Sequence, residues 1–333
     1  MRLTRRGLLA SALAMPILPA QRAGATATQA AAPRWPTALL MATGRPGGAY
    51  AIYGPAWGNL AQQSSGVAIA YVASGGSATD ILLIEQNAAQ LGMTSVTVAD
   101  QARTGTGAWT AGVKFDSFRA LFPMFPSILQ IVTKPGSAIK SVSDLAGRSI
   151  GIGPDGGSGA AAMPGMLANL GIAPAHCVTG DYLPQMTAML AGRLDACAFI
   201  GAPPLPAIEQ AAQQHALGFI GFSPEQTAQV MKTAPGMTGM TLQANTFQNQ
   251  TTPIPSVGTA NFAIGAASLP DSLVTALTLA ALRNREQLAA LVPAVESTPL
   301  PKMIGQGNMS FHPGAATALR SFGMDVPARF IEG

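Results

Sequence analysis

Charge is what this chain has least of. Asp, Glu, Lys and Arg supply 10% of its 333 residues, against roughly a quarter in ordinary soluble domains. So few charges exclude a disordered or nucleic-acid-binding chain. Histidine occurs three times (His176, His215, His312) and cysteine twice (Cys177, Cys197). No His, Cys, Asp and Glu cluster has ligand spacing, so no metal site is expected. Beyond the first 25 residues no apolar run approaches 18 residues, so no later segment is long enough to cross a bilayer as a helix and the mature protein is expected to be soluble.

Apolar side chains are plentiful. Hydrophobic residues make up 48% of the chain, enough for a large core, and 37 glycines and 26 prolines fall between periodic segments, as turn residues do. The first 25 residues have a basic start, an apolar run from Gly7 to Leu18 and Ala23-Gly24-Ala25, the layout of an export signal with its cleavage site. Thr4-Arg5-Arg6-Gly7-Leu8-Leu9 has twin-arginine character; an ordinary secretion signal carrying two arginines is the other reading. Arg2, Arg5, Arg6 and Arg22 leave with this segment and no acid does, so 19 − 4 = 15 basic residues face 15 acidic ones. Near-zero net charge removes the argument for a nucleic-acid or acidic-membrane partner. Residues 26–36 form an Ala/Thr/Gln/Pro leader.

The order strand–helix–strand is expected twice, over residues 37–112 and 148–222, which predicts parallel sheets with crossover helices. Two such units suggest an α/β chain of two lobes with a ligand cleft between them: residues 37–125 with 253–333, and 126–252. Connecting segments near Phe125 and Pro253 would act as hinges. Three glycine loops follow strands and precede helices, where open α/β sheets bind ligands. They are Thr43–Tyr50, Gly75–Ser77 (with Ser77 as N-cap) and Gly153–Gly159. Loop N–H groups at Gly48, Ala49, Gly76, Ser77, Gly157 and Ser158 suit a carboxylate, with the Ser77 and Ser158 hydroxyls as added donors and Tyr50 as a flat wall with a polar tip.

Two enzyme patterns compete. Gly151-x-Gly153-x-x-Gly156 matches a dinucleotide fingerprint, with Asp181 closing the next strand as a ribose-binding acid. Against it, Pro164-Gly165 lies within the following helix, which must kink or start late. Gly156-Gly157-Ser158-Gly159-Ala160 resembles a nucleophile elbow. No histidine is an obvious base for it, and a serine hydrogen-bonding at a helix start is the expected role. Cys177 and Cys197 fall on the second and third strands of the second lobe. Sheet order 2-1-3 would put them about 9–10 Å apart, too far for a disulfide, so two buried free thiols are expected.

These residues resemble the TAXI family of solute-binding receptors, components of tripartite ATP-independent periplasmic (TRAP) transporters. The resemblance runs from about Leu39 to Gly323. It rests on Ala42-Thr43-Gly44 with Gly47-Gly48-Ala49-Tyr50, on Gly75-Gly76-Ser77 with Asp80, on Asp144-Leu145-x-Gly147 with Gly156 to Gly159, and on Gly192-x-x-Asp195-Ala196 with Gly201-Ala202-Pro203. It implies a type II periplasmic-binding fold that closes on organic acids or amino acids, with no enzymatic activity, no cofactor and a membrane permease as partner. A monomer in the periplasm is expected. It places Arg45, Gly47, Thr94, Ser95, Gly159 and Pro203 at or beside the ligand with the residues above. The chain departs from the family at Asp80 (usually Asn), Ala160 (usually Thr) and Ser95 (often Gln). If Asp80 and Arg45 both face the cleft, they suit a zwitterion or a mono-acid with a second hydrogen-bonding group. The receptor of an ATP-driven importer shares this fold and is the close alternative; an exported NAD(P)-dependent oxidoreductase is the more distant one.

Overall fold

A computed structural model describes residues 35–297, 300–306 and 309–331; the export-signal reading and most of the leader lie outside them. The first half of the chain builds β1 (Ala38–Ala42), α1 (Tyr50–Ser65), β2 (Ala68–Val72), α2 (Ser77–Glu85), β3 (Leu91–Ser95), α3 (Val96–Thr104) and β4 (Phe118–Thr133). A second set follows: β5 (Ser149–Gly151), α4 (Ser158–Asn169), β6 (His176–Val178), α5 (Tyr182–Leu190), β7 (Ala196–Gly201), α6 (Pro206–Ala212), β8 (Gly218–Ile220), α7 (Pro224–Thr233) and β9 (Thr238–Leu242). The chain then returns through β10 (Ile254–Ala266) to α8 (Asp271–Arg283), α9 (Arg285–Leu291), α10 (Leu300–Met303) and α11 (Pro313–Ser321).

Among the described residues the strands join in the order β2-β1-β3-β10-β4-β7-β5-β6, with β8 beside β4 and β9 beside β10. β1 pairs parallel with β2 and β3, and β5 pairs parallel with β6 and β7. Each unit therefore has order 2-1-3, followed by a long antiparallel strand: β10 against β3, and β4 against β7. This is the two-lobed periplasmic-binding fold, and β4 and β10 run through both lobes.

The cores follow the same division. One cluster packs α1, α2, α3, α8 and α11 around the first unit, with Trp57 edge-on to Phe122 and Phe262 edge-on to Phe311. In the second unit, successive residues of β7 face opposite ways, as a pleated strand requires. Ala196, Ala198 and Ile200 join Ile150, Met163 and Leu167; Cys197 and Phe199 join Met186, Met189 and Leu205. Phe125 and Ala260 belong to the first core, Leu129 and Val257 to the second.

Several local expectations shift. The runs Phe118–Phe125 and Ile128–Thr133 are one strand, β4, despite Pro123 and Pro126. The register against β10 slips between Ala260 and Phe262 and again between Ala263 and Ile264, and such irregularities accommodate residues that cannot donate to the ladder. The run Cys177–Leu183 predicts a longer strand, but β6 covers only His176–Val178, because the chain turns at Gly180 and enters α5 at Tyr182. The apolar periodicity of Pro270–Leu291 predicts one helix, but it breaks at Asn284 into α8 and α9. Helix α4 starts at Ser158 and continues through Pro164. β5 separates the cysteine strands, and both thiols are free. Burial pushes Cys197 up to about 12.

Candidate functional site

The two lobes face each other across a narrow cleft. It is lined by the starts of three helices and by the strand ends facing them. Tyr50 opens α1, Ser77 opens α2 and Ser158 opens α4, and all three side chains line the cleft. First-turn N–H groups have no intrahelical acceptor, and the aligned peptide dipoles make each such end electropositive. Two of these ends come from one lobe and one from the other, so an anion between them would touch both.

Glycine lets the loops approach. A Cβ on Gly75 would lie 1.9 Å from the Asp155 carbonyl oxygen, and one on Gly156 would lie 1.9 Å from Thr79 Oγ1. Through this gap the Ala78 and Thr79 N–H groups donate to the Gly156 carbonyl across the lobes, at 2.9 and 3.2 Å. Ala207 N–H donates to Gly47 O at 3.3 Å, and Arg45 of the first lobe faces Asp181 of the second at 3.6 Å. The lobes are closed on one another.

A chain of hydroxyls crosses the cleft. Ser77 Oγ lies 2.8 Å from Ser158 Oγ and 3.2 Å from the Tyr50 hydroxyl. Ser158 Oγ donates to Ser95 Oγ at 3.4 Å, and Ser95 N–H donates to Ser77 Oγ at 3.2 Å. Tyr50 donates to Asn261 Oδ1 at 2.6 Å, while Asn261 Nδ2 donates to Phe125 O and Ser127 Oγ at 2.9 and 2.7 Å. Asn261, on the strand shared by both lobes, thus orients the Tyr50 tip. Burial pushes the Tyr50 hydroxyl strongly upward, and the Asp80 and Tyr182 charges add to this. Burial raises Tyr182 to about 12. Both phenols are neutral donors at physiological pH.

Of the residues expected at the ligand, Arg45, Gly48, Ala49, Tyr50, Gly76, Ser77, Gly157 and Ser158 line the cleft. The others stand behind it. Gly47 packs beside Ala207 and Tyr182 with φ +85. Thr94 Oγ1 donates to Ser77 O at 3.3 Å, and Ser95 is fully buried. A Cβ on Gly159 would meet Ile152 O at 2.1 Å, so this glycine permits close helix–strand packing. Pro203 follows Ala202, which does line the cleft. Ser77 is not the N-cap of α2: Gly76 is, with φ 113, and the serine hydroxyl is spent across the cleft.

Asp80 does not line the cleft. It is fully buried, its carboxylate accepting from the Ser74 hydroxyl and, at 2.9 Å, from Met93 N–H. Ser74 Oγ in turn accepts from Gly44 N–H at 2.9 Å and Gly76 N–H at 3.2 Å. Asp80 therefore braces the roots of two cleft loops. Burial lifts its carboxyl to about 7, the Ser74 and Met93 hydrogen bonds pulling the other way.

Sequence reasoning missed Phe125, Ser127, Tyr182, Ile200, Gly201, Ala202 and Leu205 on the cleft walls. Phe125 reads as a hinge position, Gly201 and Ala202 as a turn and the others as ordinary strand or helix residues, and the position of Ile200 and Gly201 at a strand's carboxyl end was the usable signal. In the fingerprint-like turn, Gly153 N–H donates to Gln185 Oε1 at 3.0 Å and Gly157 N–H to Pro154 O at 3.0 Å. The candidate ribose acid Asp181 is the residue that faces Arg45.

The fold recurs in solved structures. A protein of Bordetella bronchiseptica RB50 superposes with a TM-score of 0.50 at 17% identity, covering 88% of this chain and 91% of that one. The GluR0 ligand-binding core from Nostoc punctiforme, in complex with L-glutamate, gives 0.47 at 17% identity over 78% and 100%. The alkanesulfonate-binding protein SsuA from Xanthomonas axonopodis pv. citri, bound to MOPS, gives 0.47 at 12% identity over 90% and 97%. In sequence, residues 41–323 match the NMT1-like family.

Proposed function

Starting from a chain that belongs to the NMT1-like family, we propose that the protein is an extracytoplasmic solute-binding receptor. It captures a small carboxylate-bearing solute between its lobes and delivers it to a membrane permease of the TRAP type. One observation carries this reading: three helix starts, drawn from both lobes, converge on one enclosed cleft. A carboxylate held there accepts from the free N–H groups of Ser77 and Ser158 and from their hydroxyls. Only contacts made to both lobes at once favour closure over the open state. The lobes comprise residues 37–125 with 258–333, and 126–257, the expected boundary near Pro253 moving past Val257 because that residue packs in the second core, and they hinge where β4 and β10 pass between them. The receptor acts as a monomer in the periplasm, without catalysis or cofactor.

A thermal-shift panel of organic acids, amino acids and nicotinamide nucleotides tests the reading. A ligand at 100 times its Kd adds about 2.7 kcal/mol of stability. Stabilisation by an acid and none by NAD(P) is the expected result; stabilisation by the nucleotide alone would make the protein an oxidoreductase. The fold serves an ATP-driven importer equally well. The two receptor readings part on energy source, because TRAP-coupled uptake continues in ATP-depleted cells that keep an ion gradient.

A further inference from the structure

Resting on the receptor reading above, we propose that the solute is a monocarboxylate with a flat or branched apolar body, and that dicarboxylates and amino acids are excluded. The anionic end is set by the helix starts of Ser77 and Ser158. Much of the remaining wall is apolar: Phe125, Ile200, Ala202 and Leu205 line it, with the rings of Tyr50 and Tyr182 at its sides, and the Ser127 hydroxyl, which accepts from Asn261 Nδ2 at 2.7 Å, is set among them. Tyr182 is held edge-on to Phe199, so its ring is a fixed surface.

The charge around the cleft settles what the rest of the solute can carry. Among the described residues, Arg45 is the one charged side chain that lines the space. Asp181 already faces it across the mouth, and both side chains are about half exposed. Asp80, the acid that could have received an ammonium group, is sealed behind Ser74 and Met93. An α-ammonium group would find no carboxylate lining the space, Asp181 at the mouth being paired with Arg45, and burying an unpaired charge is costly. A second carboxylate would reach a cation only by displacing Asp181 from Arg45. An apolar body meets neither obstacle and gains from leaving water.

Calorimetry on the full mature protein, unfolded and refolded to strip co-purified solute, tests this. The probes are phenylacetate, 4-methylpentanoate, phenylacetamide, succinate, 2-oxoglutarate and L-glutamate. At least one monocarboxylate is expected to bind 100-fold or more tightly than succinate, 2-oxoglutarate or L-glutamate, with the neutral amide binding weakly. Equal or tighter binding of a dicarboxylate or amino acid overturns the inference and leaves the receptor reading standing. Binding of none of the acids, in a refolded protein of native circular dichroism, overturns both. Asp181→Asn supplies a second readout: it frees Arg45, and the ratio of succinate affinity to phenylacetate affinity is expected to rise at least tenfold. An unchanged ratio overturns the proposed part of Arg45 and Asp181 in excluding the second acid group.

Discussion

Asp80 has two hydrogen bonds and no cation beside it, an expensive arrangement for a buried carboxylate. Its value in the folded protein, about 7, lies above the unfolded 3.8. A raised acid favours folding while it is protonated. Its contribution is complete below about pH 4 and disappears as pH rises through about 7. The wild type is therefore expected to lose up to about 4 kcal/mol across that window relative to Asp80→Asn, seen as converging or crossing urea midpoints measured from pH 4 to 8. The same titration reaches the ligand. Ionised Asp80 accepts the Ser74 O–H hydrogen bond, leaving Ser74 Oγ as the acceptor for Gly44 and Gly76 N–H. Solute affinity in the wild type should thus rise between pH 6 and 8, and this rise should vanish in Asp80→Asn. At the cleft itself, Ser158→Ala removes the hydroxyl that links Ser77 and Ser95. We expect it to weaken solute binding by about 1–2 kcal/mol, roughly 5- to 30-fold, with the melting temperature of the solute-free protein little changed.

At the scale of elements, the glycine turns separate closure from folding. Gly75 has no left-handed backbone requirement, yet a methyl group there strikes the Asp155 carbonyl of the other lobe. It also meets Thr79 Oγ1 of its own lobe at 2.5 Å, which a turn of that side chain relieves, so Gly75→Ala should fold and resist closing, and small-angle scattering should show a solute-bound radius of gyration close to that of an open receptor. Affinity should fall by more than tenfold; compaction equal to wild type would disprove the argument. The same turns explain what could be read from sequence. Strand, glycine loop and helix recur with clear punctuation, so the three helix starts and eight cleft residues were legible in the chain alone. What could not be read depends on long-range packing. Asp80 looks like a cleft acid because it sits one turn after Ser77, and only the fold of β3 against α2 brings Met93 N–H onto it. Leu205, Ile200 and Phe125 are apolar residues on regular elements, and nothing local distinguishes a wall from a core. The continuity of β4 was hidden because Pro123 and Pro126 argue for interruption, and it takes the irregular register with β10 to absorb them.

For the molecule as a whole, two strands carry the connection between lobes, and their crossings fall between Phe125 and Leu129 and between Val257 and Ala260. On the receptor reading proposed above, these two adjacent antiparallel strands would serve as the hinge, since twisting both a little would open the cleft without breaking their ladder. The Ala78 and Thr79 bonds to Gly156, and the Arg45–Asp181 pair, exist only when the cleft is shut. Exposed pairs of this kind contribute about 0–1 kcal/mol, so solute contacts must supply most of the bias toward closure.

The place of β10 has a consequence for the order of events during synthesis. It lies between β3 and β4 in the finished sheet, yet it leaves the ribosome after β5–β9. A nascent chain ending near residue 252 holds every strand of β5–β7 and can complete that lobe's inner sheet, while β3 and β4 still wait for the strand that joins them. The N-terminal lobe is in this sense the last to be finished. A fragment truncated before Ile254 should show protease-resistant peptides from residues 140–215 and none from residues 37–117.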